Sequence, residues 1–264
     1  MPMKEISLII SVYKNIASLQ LILKSIEAQK VLPNIEVIIA EDNNGEEMRE
    51  SLEMWKVKFS FPIIHINQED FGFRKCRILN EAVRRSSGEY LIFIDGDCLL
   101  HPKFLFEYSR LKSKGVVSYG RRVMLSLVLS KRIEQEQDLG LINWPNLLRY
   151  NCKRLDAGLY LPFSKAEIKN GFWGHNWGIY KVDFETVCGF DENYTKAGID
   201  EDTDIDWRLQ QKGMRFHKFK NRLIQYHLYH LQNYPDTHEV EKIWADKKAQ
   251  FNFSKDAKFL MGNL

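Results

Sequence analysis

The chain has 264 residues, with 38 lysines and arginines against 35 aspartates and glutamates, which gives a formal net charge of +3. This length suits one α/β domain with a substantial core. So small a basic excess argues against a general nucleic-acid-binding protein. The four cysteines form no C-x-x-C pair, which argues against a zinc or redox site and predicts buried thiols in a reducing compartment: Cys76, Cys98, Cys152 and Cys188.

An apolar run begins at Ile6, which leaves no room for a signal peptide before it. No apolar stretch approaches the roughly 18 residues that a membrane-spanning helix needs. The sequence therefore predicts a cytoplasmic protein, with peripheral association at the inner face of a membrane as an alternative.

Short apolar runs alternate with amphipathic helical patterns through the first half of the chain. The apolar runs predict strands over residues 6–12, 35–40, 63–66, 90–94 and 116–119. Helical spacing of apolar side chains predicts helices over residues 18–29, 46–56, 74–85 and 101–114. This alternation predicts an α/β fold, with a mostly parallel sheet flanked by helices.

The second half is less regular. Residues 121–169 mix a helical charge pattern at 131–138 with loop signals, which indicates a long excursion from the sheet. Residues 236–264 show helical spacing and predict a C-terminal helix packed on the domain. A helix that docks on a membrane or a partner is the alternative for this segment.

Two acidic side chains follow the strand at residues 90–94 on a tight turn, Asp95-Gly96-Asp97. Ligands of open α/β sheets bind at the carboxyl ends of the strands, so this turn should share a site with residues 13–15 and 41–44. Its carboxylates present several oxygens to a divalent cation that a diphosphate also binds. A solvated turn is the alternative for the tripeptide alone.

A second acidic cluster has five acids from Asp200 to Asp206, before an amphipathic stretch. At a helix N-terminus the dipole favours acidic residues, but capping explains only one or two of them. A hydroxyl nucleophile has a very high pKa and needs a positioned carboxylate to accept its proton. One acid of this cluster is therefore a candidate general base.

His227 and His230 end an apolar run at residues 222–226. A neutral imidazole there could complete the coordination of a cation held by Asp97. If the segment is a strand, the two rings point to opposite faces and only one of them is a ligand. A core or surface position is the alternative for each histidine.

Arg74, Lys75 and Arg77 cluster at the start of a predicted helix, where they either bind a diphosphate or lie on a solvated face. The motifs G-x-x-x-x-G-K-[ST], G-x-G-x-x-G, H-E-x-x-H and G-x-S-x-G are absent from the sequence. Their absence argues against P-loop, dinucleotide-binding, zincin and α/β-hydrolase functions.

Several segments together form a more specific pattern than any one of them alone. They are Ser11-Val12-Tyr13-Lys14-Asn15, Glu41-Asp42-Asn43-Asn44, Arg77-Ile78-Leu79-Asn80, Phe93-Ile94-Asp95-Gly96-Asp97, Asn170-Gly171-Phe172-Trp173-Gly174-His175-Asn176, Gly189-Phe190-Asp191-Glu192 and Gly198-Ile199-Asp200-Glu201-Asp202. Through them, residues 6–230 resemble the family 2 glycosyltransferases of the GT-A fold. The second half resembles the galactosyltransferase-type C-terminal module of chondroitin-polymerase-like and β-1,4-galactosyltransferase enzymes.

The resemblance implies a GT-A fold, with a Rossmann-like, mostly parallel sheet and a small acceptor-side subregion. Residues 1–235 would be the catalytic domain, with a nucleotide-sugar-binding half at 1–120, an acceptor-binding half at 121–235 and a helical extension at 236–264. The implied function is inverting, metal-assisted transfer from a UDP-sugar to a hydroxyl of a glycan or lipid-linked saccharide, in cell-surface polysaccharide synthesis. A nucleotidyltransferase and an inactive glycan-binding protein of the same fold are the alternatives.

The resemblance also implies roles for single residues. Asp202 is implied as the base and Glu201 as an acceptor contact, while Asp97 and His227 would bind Mn²⁺ or Mg²⁺, with Asp95 and His230 as further metal-site candidates. The implied donor-binding residues are Ser11, Tyr13, Asn15, Glu41, Asp42, Arg74, Arg77, Asp95 and Gly96, with Asp42 at the uracil and Asp95 at the ribose. The implied acceptor-binding residues are Trp173, Gly174, His175 and Asn176, with stacking on Trp173 or Trp177.

Overall fold

The computed structural model describes residues 4–196, 200–231, 238–254 and 262–264. The first half alternates strands and helices, as its apolar periodicity predicts. Its elements are β1 (Lys4–Val12), α1 (Ile16–Glu27), β2 (Ile35–Glu41), α2 (Glu46–Lys56), β3 (Ile63–Asn67), α3 (Lys75–Arg85), β4 (Gly88–Asp95), β5 (Cys98–Leu100), α4 (Phe104–Leu111) and β6 (Val116–Tyr119). The predicted strands and helices of this half are confirmed, with small shifts at their ends.

The second half holds shorter elements. They are β7 (Arg121–Met124), α5 (Leu127–Glu136), α6 (Trp144–Arg149), β8 (Glu167–Ile168), β9 (Asn176–Tyr180), α7 (Lys181–Glu185), α8 (Asp200–Gln211), β10 (Arg215–Lys218), β11 (Ile224–His227) and α9 (His238–Ser254). The predicted helical pattern at residues 131–138 is confirmed as the end of α5. The second acidic cluster begins α8, as its sequence predicts.

Eight strands form one sheet in the order β3-β2-β1-β4-β9-β6-β10-β8. The first four are parallel neighbours, whereas β9 runs antiparallel to both β4 and β6. A smaller sheet has the order β5-β11-β7. The predicted α/β fold with a mostly parallel sheet is confirmed. Because β2, β1 and β4 are adjacent and parallel, their carboxyl ends lie at one edge of the sheet.

Helices cover both faces of the large sheet. Alternate side chains of a strand point to opposite faces. In β1, Leu8 and Ile10 therefore pack in one apolar cluster with Leu19 of α1, whereas Ile9 packs in the other cluster with Ile78 of α3. Neither face of β1 meets water, which explains its almost unbroken apolar sequence.

The C-terminal helix α9 packs on α8. The ring of Trp207 in α8 meets Trp244 and Phe251 of α9 edge-on, with ring centres 5.3 and 5.1 Å away. Lys247 Nζ also lies 2.9 Å from Asp204 Oδ1. α9 therefore packs on the domain, and residues 236–237 and 255–261 of the predicted segment lie outside the described residues. Within the described ranges, no helix has both the length and the apolar character needed to cross a bilayer.

A buried ion pair fixes α8 to the body of the protein. Arg208 is 0% exposed, and its Nε donates to Asp204 Oδ2 at 2.7 Å. Its Nη1 donates to the carbonyl oxygens of Val187 and Gly189. Buried charges are tolerated only when they are paired and hydrogen-bonded in this way. The pair therefore determines where the acidic cluster at the start of α8 meets the sheet.

None of the four cysteines forms a disulfide bond with another described residue. Three of them are buried as predicted, but Cys188 is half-buried. Cys188 lies in the turn after α7 with a φ of 51°, next to Gly189, so its side chain stands at the edge of the core. The prediction of a buried thiol is wrong at this position.

Candidate active site

A cavity of about 790 Å³ opens at the carboxyl ends of β1, β2 and β4. The start of α8 and the end of β11 complete its wall. The residues assigned to the site from sequence that line it are Ser11, Tyr13, Asn15, Asp42, Asp95, Gly96, Asp97, Glu201, Asp202, His227 and His230. The two acidic clusters, from opposite halves of the chain, therefore face one space. Lys75 and Arg122 line it as well.

The turn after β4 packs directly on the end of β1. Ser11 Oγ donates to Asp95 Oδ1 at 3.3 Å. A Cβ at Gly96 would lie 2.8 Å from the carbonyl oxygen of Ser11 and 3.2 Å from Val12 Cα. Only glycine permits so close an approach of two backbones. Gly96 thus keeps Asp95 and Asp97 against the neighbouring strand.

Asp97 and two histidines form a cluster of ligand side chains. Asp97 Oδ2 lies 3.2 Å from His227 Nε2 and 3.1 Å from His230 Nε2. The expectation of a single histidine ligand assumed a strand that includes both histidines, and that condition does not hold. β11 ends at His227, and Leu228 N donates to the carbonyl oxygen of Asp97 at 2.9 Å. Beyond the strand the alternation of side chains no longer applies, and His230 turns back to the same carboxylate.

The charge state of this cluster suits a divalent cation. Burial raises the pKa of Asp97, but hydrogen bonds from His227 and His230 outweigh burial and hold that pKa well below its usual range. The ligand atoms of the three side chains lie within 4.8 Å of one another. One carboxylate and two imidazoles are a donor set that binds divalent transition metals. The residues present therefore fit a metal ion at this position.

A lysine joins the two acidic clusters. Lys75 Nζ lies 3.2 Å from Asp95 Oδ1 and 3.7 Å from Glu201 Oε1. Burial lowers the pKa of Lys75, but the charges of Asp95 and Asp202, with other acidic contributions, outweigh burial and raise that pKa well above its usual value. The ammonium group therefore stays charged and offers a cation to a phosphate group in the cavity.

The two arginines that were assigned to the donor do not line the cavity. Arg77 is exposed on α3, and Arg74 contributes its backbone N–H, which donates to Asp42 Oδ2 at 2.7 Å. Lys75 faces the cavity instead, because it lies on the same helix face as the buried Ile78, three residues further on. This spacing distinguishes Lys75 from Arg77, whereas Arg74 is the N-cap residue that precedes the helix.

Arg122 is a second cation at the cavity, and no sequence motif includes it. Its Nη1 lies 3.8 Å from Cys98 Sγ, beside the acidic turn. Burial lowers the pKa of Arg122, but Cys98, Asp97 and Asp95 outweigh burial and raise it. Arg122 reaches this place because β7 pairs with β11, which is distant in sequence. Local sequence reasoning has no access to such a pairing.

Asp42 and Glu41 have different surroundings. Asp42 lines the cavity, where it accepts hydrogen bonds from Arg74 N at 2.7 Å and Gln68 Nε2 at 2.6 Å. Glu41 is 0% exposed, and its Oε2 lies 2.7 Å from His65 Nε2. Successive residues of a strand point to opposite faces, so one member of this acidic pair is turned away from the cavity. Glu41 does not line the cavity, and its contact with His65 lies within the protein behind the cavity wall.

A backbone amide holds the candidate base. Gly174 N donates to Asp202 Oδ2 at 2.8 Å, so the segment before β9 touches the start of α8. A Cβ at Gly174 would lie 2.1 Å from Asp202 Oδ1, which only glycine avoids. Burial raises the pKa of Asp202, and a carboxylate of higher pKa is a stronger proton acceptor.

The predicted acceptor residues divide into exposed and buried positions. Trp173 is 46% exposed. His175 and Asn176 are buried and do not line the cavity: His175 Nδ1 lies 3.2 Å from Gln225 Oε1, and Asn176 Oδ1 accepts from Tyr108 Oη at 2.8 Å. These bonds position β9. Trp173 is therefore the side chain of this group that a ligand can reach.

Trp177, the alternative stacking residue, belongs to the core. It is 1% exposed, and its ring stacks on Phe93 with centroids 4.5 Å apart. The cause is the central place of β9 in the sheet, between β4 and β6. The expectation that an acceptor could stack on Trp177 is wrong.

Glu201 is a buried carboxyl group beside Asp202. It is 6% exposed, and its Oε2 has no hydrogen-bond partner among the residues that the structure describes. Burial, together with the adjacent charge of Asp202, raises the pKa of Glu201 to about 8. Glu201 therefore holds a proton at neutral pH and can donate a hydrogen bond.

We expect this carboxyl group to make the free energy of unfolding decrease between about pH 4.5 and about pH 8. Across that window the folded protein keeps the Glu201 proton, whereas the unfolded chain releases it. Glu201→Gln removes this contribution, so the variant gains stability relative to the wild type as the pH rises. Urea unfolding at both ends of the window measures the change, with the exposed Glu185→Gln as control. Identical pH slopes for Glu201→Gln and the wild type would contradict the shifted pKa.

Comparison with protein families gives a match over the first half of the chain. Residues 7–126 match the model described as Glycosyl transferase family 2. These residues form a family 2 glycosyltransferase domain. The family 2 match includes β1 to β7, and with them Asp42, Asp95 and Asp97. The base candidate on α8 and both histidines lie beyond the matched range.

A curated relative extends the likeness through the second half. The chain is 23% identical over 239 residues to chondroitin synthase of Escherichia coli, an alignment that covers 84% of this chain and 34% of that protein. The chain with its family 2 domain thus spans about a third of the length of this relative.

Two residues of the motif before α8, Gly198 and Ile199, lie outside the described residues.

Solved structures share the fold of the family 2 domain and of the residues that follow it. Mannosyltransferase PcManGT from Pyrobaculum calidifontis, solved in complex with GDP-Man and Mn²⁺, has 17% identity and a TM-score of 0.59, with 96% of this chain and 64% of that chain covered. GalNAc-T7, solved with UDP, GalNAc and Mn²⁺, has 13% identity and a TM-score of 0.62, with 88% and 45% covered. The chain therefore has the GT-A fold of these glycosyltransferases.

Proposed function

We propose that this chain is an inverting, metal-assisted glycosyltransferase, which moves a hexosyl group from a UDP-sugar to a hydroxyl group of an acceptor glycan. The observation that carries the proposal is that Asp97 and Asp202 line one cavity. Glycosyl transfer needs both a site that neutralises the departing diphosphate and a base for the attacking hydroxyl. The family 2 match and the nucleotide-bound relatives support this class of reaction.

The donor would lie over the carboxyl ends of β1, β2 and β4. Asp42, which lines the cavity, would contact the nucleobase, and Tyr13, which is 55% exposed, would lie beside it. Asp95 would contact the ribose, and Lys75 and Arg122 would contact the diphosphate. The choice of uracil follows the resemblance of the segment around Asp42 to the uridine site of family 2 enzymes.

Asp97, His227 and His230 would hold the metal ion. We favour Mn²⁺ over Mg²⁺, because Mg²⁺ prefers oxygen ligands and water to two imidazole nitrogens. When bound, the ion would neutralise the negative charge that develops on the leaving diphosphate.

In the proposed reaction, Asp202 takes the proton of the acceptor hydroxyl. That oxygen forms a bond to the anomeric carbon of the donor sugar, while the bond from this carbon to the diphosphate oxygen breaks and its electron pair leaves with the nucleoside diphosphate. Entry and departure on opposite faces invert the anomeric configuration, which needs one base and no protein nucleophile. Protonated Glu201, next to Asp202, would donate a hydrogen bond to the acceptor.

The proposal includes a division of the chain. Residues 1–120 would bind the nucleotide sugar, residues 121–235 would bind the acceptor as a galactosyltransferase-type module, and residues 236–264 would be a helical extension. The acceptor would be a glycan or a lipid-linked saccharide in cell-surface polysaccharide synthesis, at the cytoplasmic face of a membrane.

Gly174→Ala should lower the transfer rate by at least about tenfold, because the added methyl group displaces the Asp202 carboxylate. The stability cost of such overpacking is about 1–3 kcal/mol. Steady-state rates, measured together with urea unfolding, separate the two effects. Gly140→Ala is the control, since its Cβ would meet only the flexible side chain of Asp138 at 3.0 Å. A Gly174→Ala enzyme with wild-type turnover would show that the amide contact does not position the base.

The proposed function is tested by release of nucleoside diphosphate from a panel of UDP- and GDP-sugars, with Mn²⁺ and oligosaccharide acceptors. Thermal-shift screening of the same donors reports binding without turnover. A donor at 100 times its dissociation constant stabilises the protein by about 2.7 kcal/mol, which is readily detected. Mn²⁺-dependent stabilisation by UDP-sugars and acceptor-dependent release of UDP are expected. A protein that no nucleotide sugar stabilises would lack the proposed function.

A further inference from the structure

Two arginines flank the exposed tryptophan beside the proposed base. Arg121 Cζ lies 5.0 Å, and Arg154 Cζ lies 5.2 Å, from the centre of the Trp173 ring. Trp173 is one peptide bond from Gly174, the residue whose N–H donates to Asp202. None of the three side chains lines the cavity, and they lie beside the segment whose backbone holds Asp202.

The two arginines reach this place from separate parts of the chain. Arg121 begins β7, which pairs in parallel with β11. Arg154 follows Lys153, whose backbone exchanges two hydrogen bonds with Met124 at the other end of β7. Arg154 itself has a φ of 58°, an uncommon conformation for a residue with a side chain. The strained backbone at Arg154 therefore lies at the position that brings a second guanidinium group to Trp173.

Neither arginine of this pair forms a close ion pair with a described residue, although Glu167 interacts with Arg121 at longer range. Among the described residues, no carboxylate oxygen lies within 4.0 Å of the guanidinium nitrogens of Arg121 or Arg154, whereas the nearby Glu167 is paired with Lys218 at 2.5 Å. Two like charges on one ring repel each other, and the interaction of each with the indole offsets only about 0.5–1 kcal/mol at an exposed site. A negatively charged group in contact with both guanidinium groups would relieve this repulsion.

Guanidinium groups suit such a ligand. An arginine held against an aromatic ring keeps its planar set of N–H donors in a fixed orientation, and this set matches the two oxygens of a carboxylate or phosphate. The surrounding chain also favours a negatively charged ligand, because the excursion that carries Arg154 contains Lys153, Lys165 and Lys169. Asp156 and Glu167, the two acidic residues of the part of the excursion after Asp138, are paired with Lys220 and Lys218.

We propose that Arg121, Trp173 and Arg154 form an anion subsite for the acceptor, so that the acceptor saccharide carries a carboxylate or phosphate group close to the hydroxyl that is glycosylated. This inference rests on the proposed function and narrows its acceptor to anionic glycans. The arginines bind and orient the acceptor, and they take no part in the proton transfer.

The test compares two pairs of acceptor probes by calorimetry, in the presence of UDP and Mn²⁺. One pair is a glucuronate-terminated tetrasaccharide and its carboxyl-reduced twin, and the other is a phosphorylated tetrasaccharide and its dephosphorylated twin. The wild type should bind the anionic member of at least one pair tenfold or more tightly. Arg121→Gln and Arg154→Gln should each weaken that binding by about tenfold to a hundredfold and leave the neutral twin unaffected. The pair that responds identifies the anion.

Arg110→Gln is the matched control, because Arg110 is an exposed arginine 5.3 Å from the ring of Phe106, away from the cavity. It should bind every probe as the wild type does. Equal affinity of the wild type for both members of both pairs would overturn the proposal, and so would an equal loss for anionic and neutral probes in the arginine variants. Acceptor-dependent release of UDP by the wild type is measured in parallel, as the test of the proposed function itself. If the proposed function is wrong, the wild type releases no UDP. The affinity comparison measures binding alone, so it does not depend on that result.

Discussion

Asp202→Asn should reduce sugar transfer by about 10³-fold while donor binding stays close to that of the wild type. A positioned general base contributes about 10²–10⁴-fold to a rate, and an amide cannot accept the acceptor proton. The substitution keeps the size of the side chain, and the amide oxygen can still accept the Gly174 N–H. Turnover with saturating donor and acceptor measures the loss, and thermal shift with UDP-sugar reports donor binding.

The same helix offers a matched control. Asp206 lies one turn after Asp202, and its Oδ1 accepts the backbone N–H of Gly171 at 3.3 Å, much as Asp202 accepts that of Gly174. Asp206 does not line the cavity. Asp206→Asn should therefore keep a rate within a few-fold of the wild type. If both variants lose activity equally, the loss comes from a disturbed segment at residues 171–174, which both aspartates contact. Asp202 would then not be the base.

Removal of the metal should abolish transfer, and Asp97→Asn should reproduce most of that loss. Asp97 is the carboxylate of the cluster, and its ionised oxygen lies within hydrogen-bond distance of both histidines. Removal of a residue that only hydrogen-bonds to a metal ligand costs about 10–100-fold in metal affinity or activity. Removal of a ligand itself should therefore cost at least about 100-fold. Rates measured after chelation and during Mn²⁺ titration give the apparent metal affinity of each protein.

Two further variants calibrate this result. His230→Gln should need more Mn²⁺ than the wild type but respond to excess metal, because Asp97 and the buried His227 remain. Asp156→Asn removes an exposed carboxylate that is paired with Lys220 and does not belong to the cluster, and this variant should titrate as the wild type does. Full activity after chelation, with no response to added Mn²⁺, would exclude the metal-assisted reaction.

The parts of the fold that the sequence predicts are those whose pattern is local. β1 and β4 are apolar along their length because both faces are covered, and α1 shows its buried face as a helical stripe. The same logic places Asp95-Gly96-Asp97 at a strand end and the second acidic cluster at a helix start. Both positions can be predicted from the order of the strands and helices along the chain alone.

The parts that the sequence does not predict depend on distant pairing. β9 enters the sheet between β4 and β6, which buries Asn176 and Trp177 where an acceptor contact was expected. The pairing of β7 with β11 brings Arg122 to the acidic turn. The return of His230 to Asp97 depends on where β11 ends. None of these contacts has a signal within a short stretch of sequence.

The hydrogen bond that orients the proposed base comes from the main chain of Gly174 and not from a side chain. Substitutions at neighbouring positions such as Trp173 can therefore alter which acceptor binds without removing the donor that orients Asp202. Preference for new acceptors could evolve at this surface while the chemistry is inherited unchanged. Among homologues, variation should then be high at the position of Trp173 and low at that of Gly174.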